Sequence, residues 1–483
     1  MRTKPALTIL LCLAALLSGP APASASSRQL ALLQDDRELL LRGTNVRDST
    51  LDEARSLGVD AIKFELSWSD VAPKGKTKPS GFDGSDPAAY GAGWDNYAGL
   101  VSAAQARGFR VMIALGPPVP GWATARRGDR VGVDRPSASE FRRFAEAAGR
   151  RFPGVDLWTT WNEPNHPRFL YPQARGRVPY APRLYRGLVR AGADGLAASG
   201  HAGNTILFGE LLPIGKSRVF RKNTLKPLLF LRELFCLDSH WQRYRGSAAR
   251  AHGCSGYRAL SGVNGFAYHP YTRPNGPRGI EPSRDDATIR SIHRITRALD
   301  IARRKGRIGG GKLSVWDTEF GFQSNPPDPF QTKLSRIPGF LSESEWISYR
   351  NPRVASYSQY TMVDTPVGSR GDLFGTWQGG LRFASGRQKS GVYESFRLPL
   401  FVRLLGPGAV EVWGDARPGG AGAVVQVQQR QGRGSFSDLG GPITVSNERG
   451  YFKVRFRIAK AAKRSFRFTS QGFTSRTARA VVR

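Results

Sequence analysis

Three cysteines and six histidines in 483 residues leave little material for a metal centre or a dense disulfide framework. Cys12 falls in the N-terminal apolar run, so Cys236 and Cys254 are the one pair left in the rest of the chain. With His240 and His252 nearby, they match no common zinc spacing, and no metal is expected. In an exported chain two such cysteines can bond to each other. The expected bridge closes a short segment, His240-Trp-Gln-Arg-Tyr-Arg-Gly-Ser, and holds down what would otherwise be a mobile loop. Long apolar runs are also scarce. The stretch Ala6 to Leu17 is shorter than the roughly 20 residues a spanning helix needs. Arg2 and Lys4 precede it and Ala23-Ser24-Ala25 follows, the order of an export signal over residues 1–25. The expected product is secreted and extracellular, with association at the cell surface left open and no transmembrane segment in the mature chain.

Acidic residues are few as well: 38 Asp and Glu face 72 Lys and Arg, a formal net charge of +34. Most of the excess is arginine spread along the chain. Such a surface attracts polyanions, among them acidic polysaccharide and anionic cell-envelope polymers. No nucleic-acid module or dense basic helix is present, so nucleic acid is not an expected partner. No glycine-rich phosphate fingerprint follows the early strands, which argues against a dinucleotide fold and leaves no cofactor expected.

What is present is alternation. Between about residues 38 and 403 short apolar runs recur, each followed by a loop and a stretch of helical spacing. Eight candidate strands run Leu39 to Asn45, Asp60 to Leu66, Phe109 to Leu115, Val155 to Trp161, Thr205 to Glu210, Gly262 to His269, Leu313 to Glu319 and Val354 to Thr361. The helix after Ser137 opens like a capping box, with Glu140 three residues on. Eight strand-helix units predict an α/β fold of the (β/α)8 TIM-barrel type over residues 26–403. Near Leu405-Gly-Pro-Gly the helical spacing stops and short alternating runs begin, which predicts a small β-sandwich over 404–483, more readily a cap on the barrel than a separate binding module.

In such a barrel the chemistry sits at the carboxyl ends of the strands. The fourth ends Trp161-Asn162-Glu163-Pro164-Asn165, the sixth His269-Pro270-Tyr271, and the seventh Trp316-Asp317-Thr318-Glu319-Phe320-Gly321. Two glutamates therefore end strands three apart around the ring. Cleavage of a glycosidic bond with retention needs two carboxyl groups about 5 to 5.5 Å apart in different protonation states. Glu210 and Glu65 are rival carboxylates, and Asp317 is expected to lie deeper, as a core hydrogen-bond partner.

These motifs resemble those of the clan A glycoside hydrolases, especially cellulase-like family 5 and relatives such as family 39, over most of residues 38–403. The resemblance implies Glu163 as acid/base, Glu319 as nucleophile, and Asn162 as the partner of the sugar 2-hydroxyl. It implies that His269 and Tyr271 support the nucleophile and line the subsite. Lys63 stands where many relatives have arginine, and is expected to meet Glu65 or Glu319. The third strand lacks a histidine, and strand eight lacks the tryptophan platform that Trp377 could replace; Trp68 and Trp122 are further candidate sugar contacts. The expected activity is a retaining O-glycosyl hydrolase acting on β-linked poly- or oligosaccharide. The competing expectation is an exported carbohydrate- or envelope-binding barrel with little catalysis.

Overall fold

A computed structural model describes residues 26–125, 130–368 and 376–482, so the expected export signal lies outside the described residues. Eight parallel strands close into a barrel: β1 (Leu30–Gln34), β2 (Ala61–Ser67), β3 (Arg110–Gly116), β4 (Leu157–Thr160), β5 (Thr205–Leu211), β6 (Gly265–Tyr268), β7 (Ser314–Asp317) and β8 (Val354–Tyr360), which pairs back onto β1. The principal helices following them are α1 (Thr44–Ser56), α2 (Asp95–Ala106), α3 (Ala138–Arg151), α4 (Ala181–Ala198), α5 (Pro227–Leu234), α6 (His293–Arg304), α7 (Ile337–Tyr349) and α8 (Val392–Arg397). This is the (β/α)8 barrel that the alternation predicted. The start of α3 is also as expected, with the Ser137 side chain accepting from the Glu140 amide and Phe141, Phe144 and Ala148 turned to the core.

The first strand is a correction. Leu39 to Asn45 is not extended: Arg37–Leu41 forms a π-helical turn and α1 begins at Thr44. Two apolar leucine runs stand close together here, and the earlier one, Leu30-Ala-Leu-Leu-Gln34, takes the sheet. Asp35 then turns the chain, its carboxylate accepting from the Glu38 amide at 3.1 Å and from Met362 and Val363 at 2.9 and 3.1 Å.

Inside the barrel, Leu30, Leu32, Ala61, Met112, Leu157, Leu207, Ala267 and Trp316 form an apolar plug. The inward positions then change character toward the carboxyl end. On β2 they read Ala61, Lys63, Glu65: apolar, cationic, acidic. Water-excluding packing below and charge above is what positions a reactive site on this fold.

The second unit starts earlier than expected. β9 (Leu400–Gly406) and β10 (Ala409–Asp415) form an antiparallel hairpin, so Leu405-Gly-Pro-Gly marks a turn within the sandwich and not a linker before it. The boundary therefore falls near residue 399 in place of 403. β10 pairs β12 (Tyr451–Arg457), β9 pairs a short β14 (Val481–Val482), and a second sheet is built on β11 (Val424–Gln431) and β13 (Arg464–Ser470). Apolar residues of both sheets make one core.

This unit is fastened to the barrel. Arg417 donates to both oxygens of Glu345 on α7 at 2.9 and 2.8 Å, and Tyr451 donates to the same carboxylate at 3.2 Å. Around them Trp346 meets Phe401 at 4.4 Å between ring centroids, and Tyr349 meets Tyr451 at 4.9 Å. Arg449 pairs with Asp60, and Gly58 presses on Pro418, both just before β2 begins. The contact thus lies at the amino-terminal end of that strand, and among the described residues none beyond 377 lines the cleft at the other end. No helix among the described residues is long and apolar enough to cross a membrane.

Removing one partner of a buried ion pair leaves the other charge uncompensated. Arg417→Met should lower the unfolding free energy by about 3–5 kcal/mol in guanidinium titration, and Arg417→Met combined with Glu345→Gln should recover part of the loss.

Candidate active site

The site is built where β4, β5, β6 and β7 run out. After β4 the chain bends sharply, placing Trp161 and Glu163 at positive φ, 74° and 37°. Such backbone is costly for residues with a Cβ and persists only where the surroundings hold it. Trp161 is held by its indole N–H on the Phe169 carbonyl at 3.0 Å. Asn165, in the same motif, ties the turn to the loop after β5: it donates to the Leu212 and Leu225 carbonyls at 3.0 and 2.9 Å and accepts from the Leu212 amide at 3.0 Å. Gln173 adds a bond to the Pro164 carbonyl at 3.0 Å.

On β5 the register with β6 shifts between Gly209 and Leu211. Gly209 has φ 126°, and a Cβ there would lie 2.3 Å from the Ala267 carbonyl oxygen, so the close approach needs glycine. A bulge re-aims the side chain that follows it. Here it turns Glu210, itself at φ 48°, into the polar layer above the plug.

Seven side chains meet there. Lys63 Nζ lies 3.1 Å from Glu210 and 3.5 Å from Glu319. His269 places Nε2 on Glu210, and its Nδ1 lies 3.1 Å from Glu163 and 3.5 Å from Glu319. Thr318 donates to Glu210 at 2.8 Å, and Tyr271 donates to Glu319 at 3.1 Å. The carboxylate oxygens of Glu163 and Glu319 and the facing imidazole nitrogen all lie within 4.8 Å of one another.

Burial sets the protonation states, and neighbouring charge corrects them. Burial raises the Glu163 carboxyl above its ordinary range, against the opposing hydrogen bond from His269. For His269 burial favours the neutral ring, but Glu319 and Glu210 outweigh it and push the imidazole up to about 10. Burial likewise works against a charged Glu210; Lys63 and His269 overcome that and hold it down at about 2. Lys63 stays charged because Glu210, Glu319 and Glu65 outweigh its own desolvation. Lys63 and His269 thus both face Glu210 and Glu319.

Glu163, His269 and Glu319 are also the set among the described residues whose spacing could hold a metal ion. Both nitrogens of His269 are already directed at carboxylates, and an imidazolium has no lone pair to give a metal. The trio therefore fits a proton-handling cluster better than a metal centre.

Above these groups opens a cleft of about 850 Å³ lined by Asn162, Glu163, Tyr271, Glu319, Tyr360 and Trp377 among others. Trp377 stands 5.2 Å from Tyr271 and 5.4 Å from Tyr360 between ring centroids, with its indole N–H on the Tyr360 carbonyl at 2.7 Å, so these rings form one aromatic wall. Several expected ligand contacts are elsewhere. Trp68 is sealed in the core, stacked on Phe144 at 5.2 Å, and Trp122 packs edge-on against it with its N–H on the Pro73 carbonyl; neither lines the cleft. Lys63 and His269 lie beneath the cleft floor, fully buried, and reach a ligand only through the glutamates they hold. Asp317 is sealed off as well: Trp316 is the inward residue of β7, and burial raises the Asp317 carboxyl well above its usual range.

Cys236 and Cys254 are bonded, with Cα atoms 5.6 Å apart, and close the expected loop. From within the loop Tyr244 donates to Glu233 on α5 and His252 pairs with the same carboxylate, both at 2.8 Å.

Glu210 was legible only as a rival, because its role depends on the bulge. Asp36, which lines the cleft just beyond β1, was hidden by the misplaced first strand, and Asn165 by a function that needs two loops to be seen together.

No family model matches the chain. Similar solved structures include the virulence factor SghA from Agrobacterium tumefaciens, at 15% identity over 77% of this chain and 97% of that one with a TM-score of 0.47. The GH5_18 enzyme from Streptomyces cattleya in complex with GlcNAc is similar at 15% identity over 77% and 81%, TM-score 0.48. The family 1 β-glucosidase from Thermotoga maritima is similar at 14% identity over 78% and 97%, TM-score 0.45. At such distances the chemistry has to rest on this chain's own residues.

The raised His269 ring contributes stability that is full below its unfolded value near 6.5 and is lost as pH climbs through about 10. The wild-type denaturation midpoint should therefore fall between pH 7 and 10 more steeply than that of His269→Gln. Parallel slopes would contradict the charged imidazole.

Proposed function

We propose that the protein is a retaining O-glycosyl hydrolase acting on β-glycosidic bonds of a poly- or oligosaccharide. The observation that carries this reading is the approach of the Glu163 and Glu319 carboxylates within 4.8 Å at the floor of an open cleft. That spacing suits direct attack and leaves too little room for the water an inverting pair must hold.

In this mechanism Glu319, oriented by Tyr271 and Lys63, attacks the anomeric carbon while Glu163 gives its proton to the departing oxygen. A glycosyl-Glu319 ester forms as the glycosidic C–O bond breaks. The leaving group departs, and Glu163, now a carboxylate, takes a proton from water as that water attacks the anomeric carbon and breaks its bond to Glu319. Glu319 is released and Glu163 is protonated again. Desolvation favours the acid form at the start, and His269 steadies the carboxylate once the proton has gone. Trp377 and Tyr271 offer the faces on which a sugar can stack.

Export of the mature chain is part of the same proposal, supported by the leader-like N-terminus and by a disulfide suited to an oxidising compartment. The basic exterior supports association with anionic cell-envelope polymers outside the cleft.

Glu319→Ala should lower kcat by at least about 10³ while the far-ultraviolet circular dichroism stays unchanged. Proton NMR of the first product should show the same anomer as the substrate; the inverted anomer would contradict double displacement. Glu163→Gln should slow alkyl glycosides, which need acid help, by about 10²–10⁴ and nitrophenyl glycosides much less. It should also remove the alkaline limb of the pH profile, where wild-type activity falls as Glu163 loses its proton.

A further inference from the structure

The proposed reaction fixes where each part of a substrate lies. Glu163 gives its proton to the departing oxygen, so the leaving group rests beside Glu163. A sugar stacked on Trp377 lies on the β8 side of the glutamate pair, whereas β5 and β6 stand between β4 and β7 on the other side of the ring. The leaving group then points toward the loops after β4, β5 and β6.

Those loops form one wall. Asn165, two residues from Glu163, binds both the amide and the carbonyl of Leu212 at 3.0 Å, and the His166 amide donates to the Glu163 carbonyl at 2.8 Å. Phe169, Leu212, Pro213, Ile214 and Pro274 line the cleft here.

A sugar in this place needs hydrogen-bonding partners for its hydroxyls, since a hydroxyl taken from water without one is costly. The wall has few to offer, because its polar groups are turned into the protein. The Phe169 carbonyl accepts from the Trp161 indole at 3.0 Å, and its amide donates to the His166 carbonyl at 3.1 Å. Pro213 has no N–H, and its carbonyl accepts from the Ala287 amide at 2.9 Å. Pro274 has none either, and its carbonyl accepts from the Thr332 hydroxyl at 3.2 Å. Thr272 donates its own hydroxyl to the Gly276 carbonyl at 2.8 Å. The His166 ring is neutral, held down at about 4 by burial together with Arg168 and Arg130, and its Nδ1 accepts from the Arg168 amide at 3.3 Å. It lies 5.9 Å from the Phe169 ring between centroids. The Arg168 guanidinium is exposed and rests 5.8 Å from the same ring.

Resting on the glycosidase reading, we propose that this wall is an apolar leaving-group subsite, so that the bond cut joins a saccharide to an alkyl or aryl group in preference to a second sugar. Apolar surface buried against these side chains favours binding in proportion to its area. A second sugar gives up water for few replacements. The substrate class narrows from a polymer to a saccharide carried on an apolar group.

The test follows kcat/KM along the methyl, ethyl, butyl and hexyl β-glycosides of glucose, galactose, mannose and xylose, whose departing oxygens are chemically alike. For at least one of these sugars the value should climb about two- to fourfold per methylene, the upper figure corresponding to complete burial of each CH2. The β-linked disaccharide with the same cleaved sugar should be slower than the hexyl glycoside. Ile214→Asn and Phe169→Ser should each flatten the climb, and Ile214→Leu should keep it. A flat series in wild type, a climb that survives both polar variants, or a disaccharide cleaved faster than the hexyl glycoside overturns the proposal. If wild type cleaves none of these compounds, calorimetric titration with the methyl and hexyl thioglycosides separates the two readings. Tighter hexyl binding that is lost in Ile214→Asn keeps the apolar subsite and removes the hydrolase; equal binding, or none, removes both.

Discussion

The buried contact of Lys63 and His269 with Glu210 is the constraint around which the site is arranged. Three ionisable groups in the dry interior of a barrel are tolerable only if opposite charges face one another. Glu210 accepts from Thr318 and His269 and faces Lys63, and the two cations extend the same contacts upward to Glu163 and Glu319. The residues proposed to perform the reaction are thus held by groups that never touch a ligand. The apolar plug beneath supplies the low dielectric that gives these charges their strength.

That arrangement explains the unequal roles of two chemically identical side chains. Glu163 sits where burial favours the protonated form, while Glu319 is paired with Lys63 and Tyr271. The aromatic wall of Tyr271, Tyr360 and Trp377 lines the same cleft as the pair. The sandwich takes no part in this. It is bound to α7 and to the residues just before β2 through the Arg417–Glu345 pair and a cluster of aromatic rings.

Sequence pattern was a good guide wherever one local feature decided the outcome. Seven strands, the cap at Ser137 and the Cys236–Cys254 bridge depend on periodicity, a capping residue or an even cysteine count. It failed where two similar local signals competed. Leu30–Gln34 and Leu39–Leu41 are both apolar, and the choice between them rests on Asp35 bonding to Met362 and Val363, more than 300 residues away. Losing that strand also lost Asp36. The tryptophans failed for another reason: stacking on a sugar and stacking on Phe144 use the same ring, so Trp68 and Trp377 look alike until their neighbours are known.

The amino-acid sequence by itself determined the barrel class and the pair of glutamates, because strand-helix alternation and residues at strand ends are readable along the chain. Only the tertiary structure decided that Lys63 and His269 lie beneath the cleft and that a bulge at Gly209 brings Glu210 between them. Each of these depends on distances between strands far apart in sequence and on burial, which sets whether a carboxyl holds its proton.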